Sequence, residues 1–189
     1  MRCKKKKDEV KKDIENTKKE YFLNQQKIDT VLKERNSQIM KELKDGIGAI
    51  RKYPKSVTIF GSARTKTNDK YYKKAKSLSG KICKEGFAVV TGGGPGIMQA
   101  CNHGSFEACG NSIGFNIILP FEQDINPYVT HGVNFNYFFT RKISLIFSSE
   151  VYICFPGGFG TLDEFFQVLT LIQTKKIPYV PIILVGKDF

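Results

Sequence analysis

The sequence predicts an α/β protein: a parallel sheet of about six strands, covered by helices on both faces and preceded by a long amino-terminal helix. Three observations lead there. Short apolar and β-branched runs, such as residues 57–60 and 151–155, alternate with stretches of helical periodicity. A strand without a polar face has to be buried on both sides, which is the condition of a parallel sheet held between two helical layers. Two glycine-rich stretches each follow such a run directly and lead into a helical one, as strand-to-helix turns do in three-layer, Rossmann-like folds.

Residues 1–19 are mostly Lys, Glu and Asp with almost nothing to bury, which predicts a frayed helix or a disordered segment. From Tyr21 onward Ile28, Leu32, Ile39, Leu43, Ile47 and Ile50 keep one helical face apolar, so an amphipathic helix is expected to pack on the domain or on a partner subunit. Too few heptads are present for a coiled coil. Tyr53-Pro54 ends the helix, because proline disfavours helical geometry in the residue before it. This divides the chain into a basic segment with its helix, residues 1–53, and an α/β domain, residues 54–189.

Within that domain the first strand is expected at 57–60, closed by Gly61-Ser62, and a Lys-rich helix at 69–85 with Tyr72, Ala75, Leu78 and Ile82 on one side. A second strand at 87–90 runs into Thr91-Gly92-Gly93-Gly94-Pro95-Gly96, and Ile97 opens the next helix. Strands at 113–119 and 133–135, a helix at 140–148 and a fully apolar strand at 151–155 follow. That strand breaks at Pro156-Gly157-Gly158, before a helix at 161–174 and a last strand at 180–185. The chain stops at Phe189 without a helix to cover one side of the last strand. Either it is truncated, or the long helix or a partner subunit covers that face.

The length of 189 residues, 41% hydrophobic and 12% aromatic, suits one domain with an appendage, since a domain takes about 100–200 residues. No apolar run approaches the roughly 20 residues that cross a bilayer, and Met1 leads into charge rather than a signal peptide, so a soluble, cytoplasmic chain is expected. Cys3, Cys83, Cys101, Cys109 and Cys154 are odd in number and include no C-x-x-C, so reduced, packed thiols are expected rather than disulfides or zinc. No His/Cys/Asp cluster offers a metal site.

The formal charge of +12 suggests nucleic acid until it is split along the chain. Residues 1–84 hold 25 Lys+Arg against 10 Asp+Glu, whereas residues 85–189 hold 5 against 8. No aromatic residue interleaves with the basic run from Lys4 to Lys19, and a charge run of this kind is usually a solvated face, so nucleic acid is not the expected partner. Between Glu85 and Thr174 the only Lys or Arg residues are Arg141 and Lys142. The pair suits either a small anionic ligand or an ordinary helix surface.

Both glycine stretches lie at the carboxyl edge of the predicted sheet, where backbone N–H groups and a helix dipole can meet a phosphate. Neither has the G-x-G-x-x-G or G-x-x-x-x-G-K-[ST] spacing, so a common NAD or ATP site is not expected. Each alone could be a tight turn; two on one edge favour a phosphate site. Thr161-Leu162-Asp163-Glu164 has the spacing of a capping box, which alone would account for Thr161 and Glu164. Asp163 lies about 100° around the helix from Glu164, so only one of the two is expected to face a pocket.

Residues 91–100 (TGGGPGIMQA) together with 156–164 (PGGFGTLDE) resemble the paired signature of the Lonely Guy family, nucleoside 5′-monophosphate phosphoribohydrolases that activate cytokinins and were long labelled as lysine decarboxylases. The resemblance runs from about Val57 to Phe189, includes Phe138-Phe139-Thr140-Arg141-Lys142, and is nearest to the longer bacterial branch. It implies that Arg141 and Glu164 are the catalytic pair. It implies that Gly158, Gly160 and Thr161 meet the 5′-phosphate, with Gly61, Ser62, Gly93, Gly94, Met98, Lys142 and Gly157 around the nucleotide. It further implies hydrolysis of the N-glycosidic bond of AMP or an N6-modified AMP to free base and ribose 5-phosphate, in a homo-oligomer, with no cofactor and no pyridoxal-phosphate lysine. Gln99 and His103 depart from residues frequent in the family, which bears on substrate preference. A non-catalytic nucleotide or molybdenum-cofactor carrier of the same fold is the alternative.

Overall fold

A computed structural model describes residues 2–119 and 125–187, and the expected α/β fold is the one observed. In chain order the elements are α1 (Arg2–Arg51), β1 (Ser56–Phe60), α2 (Lys70–Lys84), β2 (Ala88–Thr91), α3 (Ile97–Glu107), β3 (Ser112–Ile117), β4 (His131–Phe135), α4 (Phe138–Ile146), β5 (Val151–Cys154), α5 (Phe159–Gln173) and β6 (Ile182–Leu184). The six strands form one sheet in the order β4-β3-β2-β1-β5-β6, and every neighbouring pair is parallel. The chain divides into two compact units, residues 1–41 and 42–189, with α1 contributing to both.

In the second unit the sheet separates two cores. Val57, Ile59, Val89 and Ile153 point to one face and bury Tyr72 and Ala75 of α2 and Ile97, Ala100 and Cys101 of α3. Phe60, Val90, Phe115 and Cys154 point to the other face, against Ala49 of α1, Leu145 and Ile146 of α4 and Val168 of α5. This alternation along strands buried on both faces yields three layers. Local signals fix the helices: Asp69 caps α2 by accepting a 2.6 Å bond from Tyr71 N, and Gly86, at φ +82°, follows the last turn.

Several expectations need correction. The backbone is helical from Arg2, the helical one of the two alternatives expected for residues 1–19, in keeping with the helix propensity of Lys and Glu. Ile28, Leu32 and Ile47 of the expected stripe are exposed, whereas Ile50 packs on the core of the second unit. The α1 positions buried in the second unit are Glu42, Gly46 and Ala49, small or hydrogen-bonding residues that apolar periodicity does not find. This end of α1 does not cover β6; Gly46 lies against Ser144 of α4 and Phe135 of β4, at the opposite edge of the sheet. Strand β6 is shorter than expected since Pro181 cannot donate to the ladder. Cys101 and Cys154 are buried and Cys83 half-buried, but Cys109 is exposed rather than packed; the thiol of Cys3 lies outside the described side chains, as Asp188 and Phe189 lie outside the described residues.

Candidate functional site

Strands β1 and β5 are neighbours, yet the chain visits β2, β3 and β4 between them. Their connections therefore leave in opposite directions, and the crevice beyond their carboxyl ends is where open α/β sheets bind ligands. A cleft of about 870 Å³ opens there. Three turns close its floor, tied together by Ser62 N donating to Pro156 O at 3.2 Å and Ile97 N donating to Ser62 O at 3.0 Å.

The turn after β2 is held from below by a buried polar network. Thr91 Oγ1 donates to Asn102 Oδ1 at 2.7 Å and accepts from Gly93 N at 3.0 Å. Asn126 Nδ2 lies 2.9 Å from Gly93 O, 3.1 Å from Gly94 O and 2.8 Å from Asn102 Oδ1. Glycine is required at Gly96, where φ is +67° and a Cβ would lie 2.3 Å from Ser62 O. At Gly92 a Cβ would lie 2.2 Å from Arg141 Nη2, so a side chain there would displace the guanidinium. The bare turn thus makes room for the arginine.

Arg141 extends from α4 across the ends of β2 and β3. Its Nε donates to Phe115 O at 2.6 Å, and Nη2 approaches Gly92 O at 3.5 Å. Lys142, the next residue, forms an ion pair with Asp163. Helix α5 begins at Phe159, two residues ahead of expectation, with Gly158 at its N-cap and no side-chain cap. Thr161 is therefore inside the first turn, its N–H bonded to Gly158 O at 3.0 Å, and the expected Thr161–Glu164 capping box does not form. The carboxylate left over from that role is the central feature of the site. Glu164 is 7% exposed, and its Oε2 has no hydrogen-bond partner among the described residues. Burial pushes its carboxyl from 4.5 up to about 7; Arg141 and Lys142 pull it down and Asp163 adds to the push, but desolvation wins.

Of the residues proposed from sequence, Gly61, Ser62, Gly94, Met98, Arg141, Lys142, Gly158, Gly160, Thr161 and Glu164 line this one cleft. Gly93 and Gly157 do not; they shape its floor. Gly93 is buried at φ +74° beneath Asn126, and a Cβ on Gly157 would lie 2.1 Å from Thr161 Oγ1. Asp163 was expected to face away from Glu164, yet both line the cleft, because Asp163 stays half-exposed at the rim and reaches Lys142. His103 stacks on Tyr128, with ring centroids 3.9 Å apart, and is not among the lining residues. Sequence reasoning missed Asn102 and Asn126, for which no motif exists, and Arg64, Asn116 and Phe138, which also line the cleft. Among the described residues no group of three or more His, Cys, Asp or Glu could hold a metal ion, and no helix is long and apolar enough to cross a membrane.

Comparison with known proteins follows the same lines. A family model described as "Possible lysine decarboxylase" matches residues 98–189. A protein of Rhodococcoides fascians named "Cytokinin riboside 5'-monophosphate phosphoribohydrolase" is 29% identical over 131 residues, covering 64% of this chain and 62% of its own length. A protein of Oryza sativa subsp. japonica named as a "Probable" enzyme of that activity is 27% identical over 135 residues, covering 70% and 54%. The chain thus spans between about half and two thirds of these relatives. Among solved structures, a molybdenum cofactor binding protein from Rippkaea orientalis superposes with a TM-score of 0.57 at 26% identity, covering 71% of this chain and 78% of that one.

Proposed function

We propose, from the kinship of this chain with the Lonely Guy family, that it hydrolyses the N-glycosidic bond of a nucleoside 5′-monophosphate, AMP or an N6-modified AMP, to free base and ribose 5-phosphate. The observation that carries the reading is the buried carboxylate of Glu164, without a partner at Oε2 among the described residues, in a cleft that also holds Arg141, Lys142 and the start of α5.

The start of a helix has amides without intrahelical acceptors and a positive dipole end, so Gly158 and Gly160 through the backbone, and Thr161 through its hydroxyl, suit a phosphate. Gly158 and Gly160 present no Cβ, and a Cβ on either would meet nothing within 4 Å, so no packing demand accounts for two glycines there. Close approach by a ligand does. A phosphate seated on that turn puts the ribose near Glu164, one turn into the helix.

Cleavage develops positive charge at C1′ as the bond to the base lengthens, and an ionised carboxylate alongside stabilises that oxocarbenium-like state in a site of low dielectric. Glu164 also takes a proton from the attacking water; the water oxygen joins C1′ and the departing base gains a hydrogen in its place. Arg141 is a permanent cation and so is not the proton donor. Held by Phe115 O, it orients the phosphate or Glu164.

The test is incubation with AMP, detecting adenine and ribose 5-phosphate in equal amounts, with Glu164→Gln as the control that stops release. The fold neighbour titled as a molybdenum cofactor binding protein supports the second reading, a carrier that binds and does not cleave. Binding of AMP by the native chain without release of adenine would favour it.

A further inference from the structure

We infer that Glu42, on α1 and far in sequence from the cleft, is a positioning residue that sets α4 and through it Arg141; the inference rests on the function proposed above. Glu42 is 2% exposed. Its Oε1 accepts from Asn136 N at 3.0 Å and Asn136 Nδ2 at 2.9 Å. Its Oε2 accepts from Thr140 Oγ1 at 2.6 Å and, more weakly, from Tyr137 N at 3.4 Å.

All these donors sit at the entry to α4, whose own N-cap, Tyr137, supplies no side-chain cap. One carboxylate from another helix ties down the two residues that lead into α4 and the Thr140 side chain in its first turn, and its charge meets the positive end of the α4 dipole. A second contact fixes the register. Four residues on from each partner, Gly46 faces Ser144 so closely that a Cβ would lie 2.0 Å from Ser144 Oγ. Arg141 directly follows Thr140, the residue gripped most tightly. Its guanidinium must reach across two strand ends to Phe115 O, so a small rotation or slide of α4 displaces it from the cleft. A misplacement of about 1 Å can cost on the order of 100-fold in rate.

The experiment is a set of variants assayed for base release from AMP, with amide exchange measured on the same proteins. Glu42→Ala should lower kcat/KM by about 100-fold. Glu42→Gln keeps the acceptor for Asn136 and should return the rate to within about tenfold of the native chain. AMP dissociation constants measured by calorimetry in the Glu164→Gln background, which stops turnover, test the route: Glu42→Ala should weaken binding when Arg141 is present and change it by no more than about threefold when Arg141 is replaced by Ala. Amide exchange should accelerate over residues 136–142 and not over residues 88–94. Equal loss in the Gln and Ala variants, equal weakening with and without Arg141, or unchanged kcat/KM would overturn the inference. If Glu42→Ala does not fold, Thr140→Val, which removes the strongest donor, should give a smaller loss in the same direction; no loss would overturn it. A native chain that releases no base defeats the proposed function, while the exchange and AMP-binding measurements still decide the role of Glu42.

Discussion

Glu164→Gln separates the cost of the site from its use. The substitution keeps the shape of the side chain and removes its charge. Glu164 is 7% exposed, and burial pushes its carboxyl from 4.5 up to about 7. The folded state therefore binds the proton more tightly than the unfolded chain does. Its contribution to stability is fully present below about pH 4.5 and is lost as pH rises through about 7, a difference of about 3 kcal/mol. Gln cannot ionise and keeps that stability at every pH. At pH 8.5 the variant should melt roughly 6–12 °C above the native chain, at about 2–4 °C per kcal/mol for a protein of this size. Near pH 4 the two should melt together. Base release from AMP should fall at least about 1,000-fold in the same protein. Thermal melts at the two pH values and one turnover assay suffice. A variant no more stable than the native chain at pH 8.5 would refute the burial argument; retained turnover would refute the role of the carboxylate.

Further outcomes follow from the same geometry. The ionised form of Glu164 is the active one, so kcat/KM should rise with pH through a limb near 7; Asp163→Asn, which removes the neighbouring charge, should move that limb lower, as measured by a pH–rate profile. Gly160→Ala, inside α5, meets nothing within 4 Å and should raise the melting temperature by about 1–4 °C while also raising KM for AMP, whereas Gly96→Ala collides with Ser62 O at positive φ and should fail to fold, as circular dichroism would show. Asn126→Ala removes the side-chain amide that donates to Gly94 O and adds second bonds to Gly93 O and Asn102 Oδ1, which keep the backbone N–H of residue 126 and Thr91 Oγ1 as donors, and should cost about 1–2 kcal/mol in denaturant unfolding together with weaker AMP binding.

Much of the fold was legible because strands buried on both faces and glycine turns leave a mark in a single chain. Val57–Phe60 and Val151–Cys154 could be read from their apolar character, and the two glycine runs marked where they turn. Ten of the proposed site residues line one cleft because they lie at strand ends and helix starts, where chain position dictates place. What stayed hidden depends on contacts between distant segments. Glu42 looks like one more surface carboxylate of a charged helix, and only packing reveals its hold on the start of α4. Asn126 lies in a loop without pattern, and its hold on Gly93 and Gly94 exists only once the sheet has formed. Thr161 and Glu164 had the spacing of a capping box, but the helix starts earlier, at Phe159, since Gly158 takes the cap. Periodicity also misjudged α1, where Gly46 and Ala49 pack and Ile47 does not.

The central claim is that the Glu164 cleft breaks a bond rather than merely holding a phosphorylated ligand. Chromatography of the products after incubation of the native chain with AMP tests it most directly. Adenine and ribose 5-phosphate appearing together, and absent with Glu164→Gln, is the result the account predicts. AMP bound at the cleft yet recovered intact after many hours would contradict it.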